Sequence, residues 1–188
     1  MTDPALQLVE PMPVDETSLL ARARAGESEA VDALVRAYLG DVYAVTARVL
    51  GERDLAQDAA QDAMVNALRS LHRFRGESSF RTWLLRIAVN AARSVARRRT
   101  RRREVSIDVV EGHSADDVGP DSRALIYDEA GRAAAMLARL PEKQRMAVSL
   151  RVQQGLSYHE IAQIMECTAG AARVNYHLGV KRLRELMK

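Results

Sequence analysis

Apolar positions along this chain recur at spacings of three and four, and nowhere in a sustained alternation of two. From Ser28 to Leu50, positions 31, 34, 35, 38, 39, 42, 45, 46 and 49 share one broad face. That face predicts a well-buried helix, ended by Gly51. A second helix from Asp54 to Leu71 places Leu55, Ala59, Ala63, Met64, Ala67, Leu68 and Leu71 on one side. Its acidic first turns suit the positive end of a helix dipole. A loop containing Gly76, Ser78 and Ser79 follows. The helical period resumes near Thr82, through Trp83, Ile87, Ala88, Ala91 and Val95, and runs out into arginine.

The stretch from Glu104 to Asp121, EVSIDVVEGHSADDVGPD, keeps no period and clusters Gly, Pro and Asp, so it reads as a linker. The alternation from Val105 to Val109 is compatible with a short extended piece, but no other segment offers it a partner. Beyond it, Ser122 to Leu140 predicts an Ala-rich helix. Pro141 is placed to open the next one, because its missing donor is harmless in a first turn; that helix runs to about Gln154 and stops at Gly155. Ser157 with Glu160 three residues on forms a capping box for a short helix ending near Met165. Thr168 caps the last helix. The expected fold is all-α: two small helical domains joined by a flexible acidic linker. The divisions are an N-terminal extension over 1–14, a first domain over 15–103, the linker over 104–121, and a second domain over 122–188.

Composition narrows the picture. With 47% apolar, 28% charged and 4% aromatic residues over 188 positions, the chain can build a core mainly of Ala, Leu, Val and Ile. No apolar run approaches the roughly 18 residues of a membrane span. The start, MTDPALQLVEPMPVDE, has neither the basic opening nor the apolar middle of a signal peptide, and Cys167 has no second cysteine to pair with. The cytoplasm is the expected location. The net charge of +3 is modest, but six of the seven residues from Arg97 to Arg103 are arginine, the linker holds six acidic residues and no Lys or Arg, and the chain turns basic again from Lys181. Such blocks are either solvated faces or contacts with an anionic partner at more than one place.

The segment SYHEIAQIMECTAGAARVNYHLGVKRL joins two capped helices through a tight break. Ile161, Ala162, Ile164 and Met165 face inward on the first; Ala172, Tyr176 and Val180 do so on the second. This is a helix-turn-helix pattern, whose second helix enters the DNA major groove by its N-terminal end. Ala169, Gly170, Arg173, Val174 and His177 are the exposed positions there. Arg173 can offer guanine a bidentate fork; Lys181, Arg182 and Arg184 suit phosphates. The competing reading is an ordinary αα-hairpin. Cys167 fits the turn as a small packing residue, and His177 lacks the neighbours of a metal ligand set.

A second concentration lies in FRGESSFRTW, which holds both phenylalanines and the one tryptophan. Aromatic faces that stack on bases and cations that follow a backbone hold single-stranded nucleic acid. Phe74, Phe80 and Trp83 with Arg73, Arg75 and Arg81 supply both. Alternatively the rings anchor the loop to a helical core, the reading favoured for Phe80 and Trp83 because they begin an amphipathic helix.

Here the residues resemble a family. DLAQDAAQDAMVNALRSLHRFRGESSFRTWLLRIAVNAAR looks like region 2, and LPEKQRMAVSLRVQQGLSYHEIAQIMECTAGAARVNYHLGVKRLRELM like region 4, of an extracytoplasmic function (ECF) RNA polymerase sigma factor of the sigma-70 family. The resemblance implies a transcription initiation factor that binds core RNA polymerase, at the β′ clamp and β flap, and directs it to promoters. Asp58, Gln61 and Asp62 match the helix that docks on the clamp. The melted −10 element would be captured by Phe74, Arg75, Gly76, Glu77, Ser78, Ser79, Phe80 and Trp83, with Arg86, Asn90 and Arg93 along the same DNA. The −35 duplex would be read by Arg151, Thr168, Arg173, Asn175, His177 and Lys181. An anti-sigma factor is the implied regulator, and a compact state with both lobes packed together is expected to compete with the polymerase-bound one. The chain departs from the family at Val174, Asn175 and Leu178, where Ser-Arg and further Arg are usual, and at Glu166, where the turn commonly has Gly.

The alternative is a stand-alone helix-turn-helix regulator, which leaves the acidic helix and the aromatic loop unexplained. No nucleophile set, metal cluster or phosphate loop is visible, and so no enzyme, cofactor or small-molecule substrate is expected.

Overall fold

The computed structural model describes residues 15–107 and 135–187, and side chains within them except at 102–107. The expected extension over 1–14, most of the linker, and the helix expected from Ser122 up to residue 134 lie outside them. Every regular element among the described residues is helical, and the fold is all-α. The chain divides into two compact units, Met1–Ala37 and Tyr38–Lys188.

In the first unit, α1 (Glu16–Arg24) begins at Asp15, whose carboxylate accepts from the Thr17 amide at 3.1 Å. Leu19, Leu20 and Ala23 are its buried side. The periodicity reading missed this helix, which is too short to declare itself without its cap. Helix α2 (Ser28–Leu50) has the predicted bounds and continues into the second unit.

In the second unit, α3 (Arg53–Arg69) packs on α4 (Phe80–Ile107). Six small or slim residues of α3 are buried: Ala56, Ala59, Ala60, Ala63, Met64 and Ala67. The alanines let the backbones approach, and Leu84, Leu85, Ala88, Val89 and Ala92 of α4 fill the interface from the other side. Of the expected α4 stripe, Ala88 is fully buried, and the rest lies beside the buried face and not at its centre. Trp83, Ile87, Ala91 and Val95 are only half-buried, because this helix is apolar over a wide arc and its largest side chain does not mark the centre. Thr46 of α2 is fully buried with its hydroxyl satisfied, its one proton shared between the Ala56 carbonyl at 2.8 Å and the Tyr43 carbonyl at 3.0 Å. Helix α4 also outruns its expected end: residues 104–107, read as linker, are still helical.

The remaining elements are a helical turn at residues 135–138, then α5 (Glu142–Val152), α6 (Tyr158–Met165) and α7 (Ala169–Leu186). Met146, Ala147, Leu150, Ile161, Ile164 and Ala172 form the centre of this lobe. Leu137, Leu140 and Val148 form a second cluster, against which Tyr176, Val180 and Leu183 pack. Helices α5 and α7 meet at Gly179, where an added Cβ would stand 2.7 Å from Val148 Cγ2 and 3.2 Å from the Gln144 carbonyl oxygen. Gly40, also helical, has open space around its Cα. Gly179→Ala is therefore expected to lower stability by about 1 kcal/mol, overpacking outweighing the gain in helix propensity, whereas Gly40→Ala gains about as much. Urea unfolding of the two variants checks the opposite signs.

Within this unit α6 lies against α4. That contact joins a helix of the expected first domain to one of the expected second.

Candidate nucleic-acid interface

The loop between α3 and α4 is short and closed at both ends. A 3-10 turn at Leu71–Arg73 leads into Phe74, Gly76 supplies a left-handed turn at φ 76°, and Ser79 opens α4 by accepting from the Thr82 amide at 3.1 Å. Around this frame three rings gather: Phe74–Phe80 centroids lie 5.5 Å apart, Phe74–Trp83 5.4 Å and Phe80–Trp83 5.6 Å. Tyr38 adds an edge contact to Phe80 at 5.3 Å.

The rings divide the two roles that the sequence left open. Phe80 is 3% exposed, so it offers no face to a base; it is the pin that holds the other two. Phe74 and Trp83 are half-buried and line an open cleft of about 590 Å³, together with Arg73, Arg75 and Arg86. These three arginines enter none of the ion pairs among the described residues. Glu77 and Ser78 lie on the same cleft, and Gln163 reaches it from α6. Cations, π-faces and hydrogen-bonding groups thus converge where an unpaired nucleotide could enter.

Several expected contributors are engaged otherwise. Arg81 points away, its Nε on Asp41 at 2.7 Å and its terminal nitrogens on the carbonyl and side-chain oxygens of Gln154. The Ser79 hydroxyl donates to Thr82 Oγ1 at 2.8 Å, and Thr82 passes the chain on to Glu160 at 3.3 Å. Asn90 donates to Glu166 at 3.2 Å, and Arg93 to Glu142 at 3.0 Å. Carboxylates of the second lobe therefore occupy polar groups of α4 that were expected on DNA. Glu160 is held ionised below the usual glutamate range, first by the Ser157 amide and then by the Ser157 hydroxyl of its capping box.

Glu166 explains its own departure from the family pattern. It takes the left-handed turn after α6 at φ 55°, the one non-glycine residue to do so among those described, and its side chain then reaches Asn90. Removing the Cβ relieves about 1 kcal/mol of backbone strain. Glu166→Gly should accordingly raise the melting temperature of this lobe slightly while freeing Asn90. A lower melting temperature would show that the Asn90 contact is worth more than the strain.

On α7, Thr168 caps the helix by accepting from the Ala171 amide at 3.1 Å. Arg173, His177 and Lys181 are exposed. Asn175 is not a free reader: it is half-buried and its amide donates to the Ala171 carbonyl at 2.8 Å. Arg151 joins Arg173 at one ring, their guanidiniums 5.0 and 5.2 Å from the centroid of Tyr158, a residue the sequence reading passed over. The third expected surface, on α3, is open: Asp58, Gln61 and Asp62 are all exposed, beside Val65 at 40% exposure, so the acidic face carries an apolar centre.

Known proteins match this arrangement. Residues 34–102 match the model of Sigma-70 region 2, and residues 131–183 that of Sigma-70, region 4. The chain is 37% identical over 166 residues to the RNA polymerase sigma-H factor of Pseudomonas aeruginosa, covering 84% of this chain and 86% of that one. It is 36% identical over 163 residues to the ECF RNA polymerase sigma-E factor of Escherichia coli K12, covering 82% and 85%. Among solved structures, it resembles the sigma factor RpoE of Bartonella quintana, crystallised with the anti-sigma factor NepR, at a TM-score of 0.69 and 25% identity over 83% of this chain and 95% of that one. It also resembles CnrH, solved with the cytosolic domain of CnrY, at 0.67 and 25% over 90% and 95%. Two regions matched in order, and relatives aligned over four fifths of the chain, place this protein in the sigma-70 family as a sigma factor of the ECF type.

Proposed function

We propose that this sigma factor docks on the core RNA polymerase clamp through Asp58, Gln61 and Asp62, reads a −35 duplex with the N-terminal half of α7, and stacks an unpaired −10 base in the cleft of Phe74 and Trp83. The observation that carries this reading is the cleft itself, where two half-exposed rings sit on a buried third and three arginines, outside the ion pairs of the described residues, stand around them. A packing role alone needs no exposed ring faces and no ring of cations. The chain is a promoter-directing initiation factor and not a stand-alone regulator, since residues 34–102 match Sigma-70 region 2 and residues 131–183 match region 4.

Energetics require the polymerase. Opening DNA costs about 1.4 kcal/mol per stacking step, and stacking one base on an aromatic side chain returns only about 1–3 kcal/mol. The anti-sigma factor bound to the Bartonella quintana relative, and the cytosolic domain of CnrY bound to CnrH, support a similar protein partner here, and a promoter-binding subunit acts in the cytoplasm, where polymerase and DNA meet. Promoter engagement must also break the Asn90–Glu166 and Arg93–Glu142 contacts, so the closed lobes represent an unengaged form.

Trp83→Ala tests the cleft. Holoenzyme with this variant should form about 10- to 100-fold less open complex on duplex promoter, while binding core polymerase normally and recovering on a template with a pre-melted −10 strand. Unchanged open-complex formation would remove the cleft from the mechanism.

A further inference from the structure

Three helices of the second lobe bring one residue each to a single point. Tyr158 is the first residue of α6, Arg151 lies in the last turn of α5, and Arg173 in the second turn of α7. The guanidinium carbons of the two arginines stand 5.0 and 5.2 Å from the tyrosine ring centroid, within cation–π range. The ring is itself braced edge-on by Tyr176, at 5.8 Å and 64°, and Tyr176 by His177 at 5.3 Å. Arg151 has a second tether, donating to the Leu156 carbonyl at 2.7 Å. Arg173, exposed on α7, has the ring alone among the contacts described. Two like charges drawn to one half-buried ring are an arrangement that self-repulsion alone would open. The ring's negative face offsets that repulsion and limits the rotamers each long side chain can sample.

We infer that Tyr158 is a positioning residue for −35 recognition: it pre-orders Arg173, with Arg151 beside it, so that the guanidinium fork meets the DNA already aimed. The inference rests on the proposed −35 reading and adds to it a residue outside the DNA-contacting set. Binding then loses less side-chain freedom, and a fork held in one plane discriminates base edges better than a free one. The ring carries the effect, so phenylalanine should replace tyrosine.

The test uses the full chain bound to core polymerase and a duplex enriched by the wild-type holoenzyme from a pool randomised at the −35 positions, together with its single-base variants. Tyr158→Leu is expected to weaken binding to the enriched duplex about 5- to 30-fold, the equivalent of two exposed cation–π contacts, and to narrow its preference over the variants. Tyr158→Phe should match the wild type. In an Arg173→Ala background Tyr158→Leu should lose little more, because most of what it positions is gone. Equal losses in both backgrounds would mean that Tyr158 acts through folding, and would overturn the inference. So would a Phe variant as weak as the Leu variant, which would transfer the effect to the hydroxyl. If Arg173→Ala itself weakens all duplexes alike, Arg173 is a phosphate contact, and the −35 reading fails before Tyr158 is tested.

Discussion

Phe80→Ala should destabilise the first lobe by about 3–5 kcal/mol, the largest stability effect expected of any single change here. The side chain is 3% exposed and touches Tyr38, Phe74 and Trp83 through ring contacts at 5.3, 5.5 and 5.6 Å. Its removal leaves a cavity beside a turn whose Thr82, Leu84 and Leu85 are themselves buried in the core. For a chain of this size the melting temperature should drop by roughly 6–20 °C. Phe74→Ala, at a half-exposed ring, should cost clearly less. Thermal unfolding followed by circular dichroism distinguishes them; equal losses would mean that the rings share one role, against the division between pin and platform.

Reversing the charges of Asp58 and Asp62 to arginine should weaken binding to core polymerase by at least about 100-fold, with stability changed by no more than about 0.5 kcal/mol. Both residues are exposed on α3, one turn apart, with Gln61 between them on the same face. Neither enters an ion pair among the described residues, so their replacement breaks nothing within the chain. The effect should shrink as salt rises, since exposed charges are screened. Binding measured by fluorescence anisotropy at two ionic strengths reports both. Retained affinity would move the docking surface elsewhere on the first lobe.

The periodicity of apolar residues placed α2 to α4, and caps and helix breakers placed α5 to α7, because amphipathic faces and caps are local properties. Ser157 with Glu160, and Thr168 with the Ala171 amide, are bonded as their spacing foretold. Residues whose role depends on a distant partner were not legible. Gly179 looks like an unfavourable helix residue until Val148 is seen facing it. Arg81 reads as one more cation of the loop, yet Asp41 and Gln154 claim it. Asn175 reads as a base contact, yet the carbonyl four residues back holds it. Tyr158 drew no notice, since nothing in SYHEIAQ shows that two arginines from other helices will meet on its ring. Phe80 and Trp83 were foreseen together as anchors; only burial could separate them, one inside the core and one at its edge.

The central claim, that this chain directs polymerase to promoters through two separate DNA surfaces, is tested most directly by transcription in vitro. Core RNA polymerase with and without the chain would transcribe fragmented genomic DNA of the source organism, and transcript 5′ ends would be mapped by sequencing. Start sites that arise only with the chain, and that share one element near −35 and another near −10, are the predicted result. No added start sites, from a chain that still binds core polymerase and is fully folded, would contradict it.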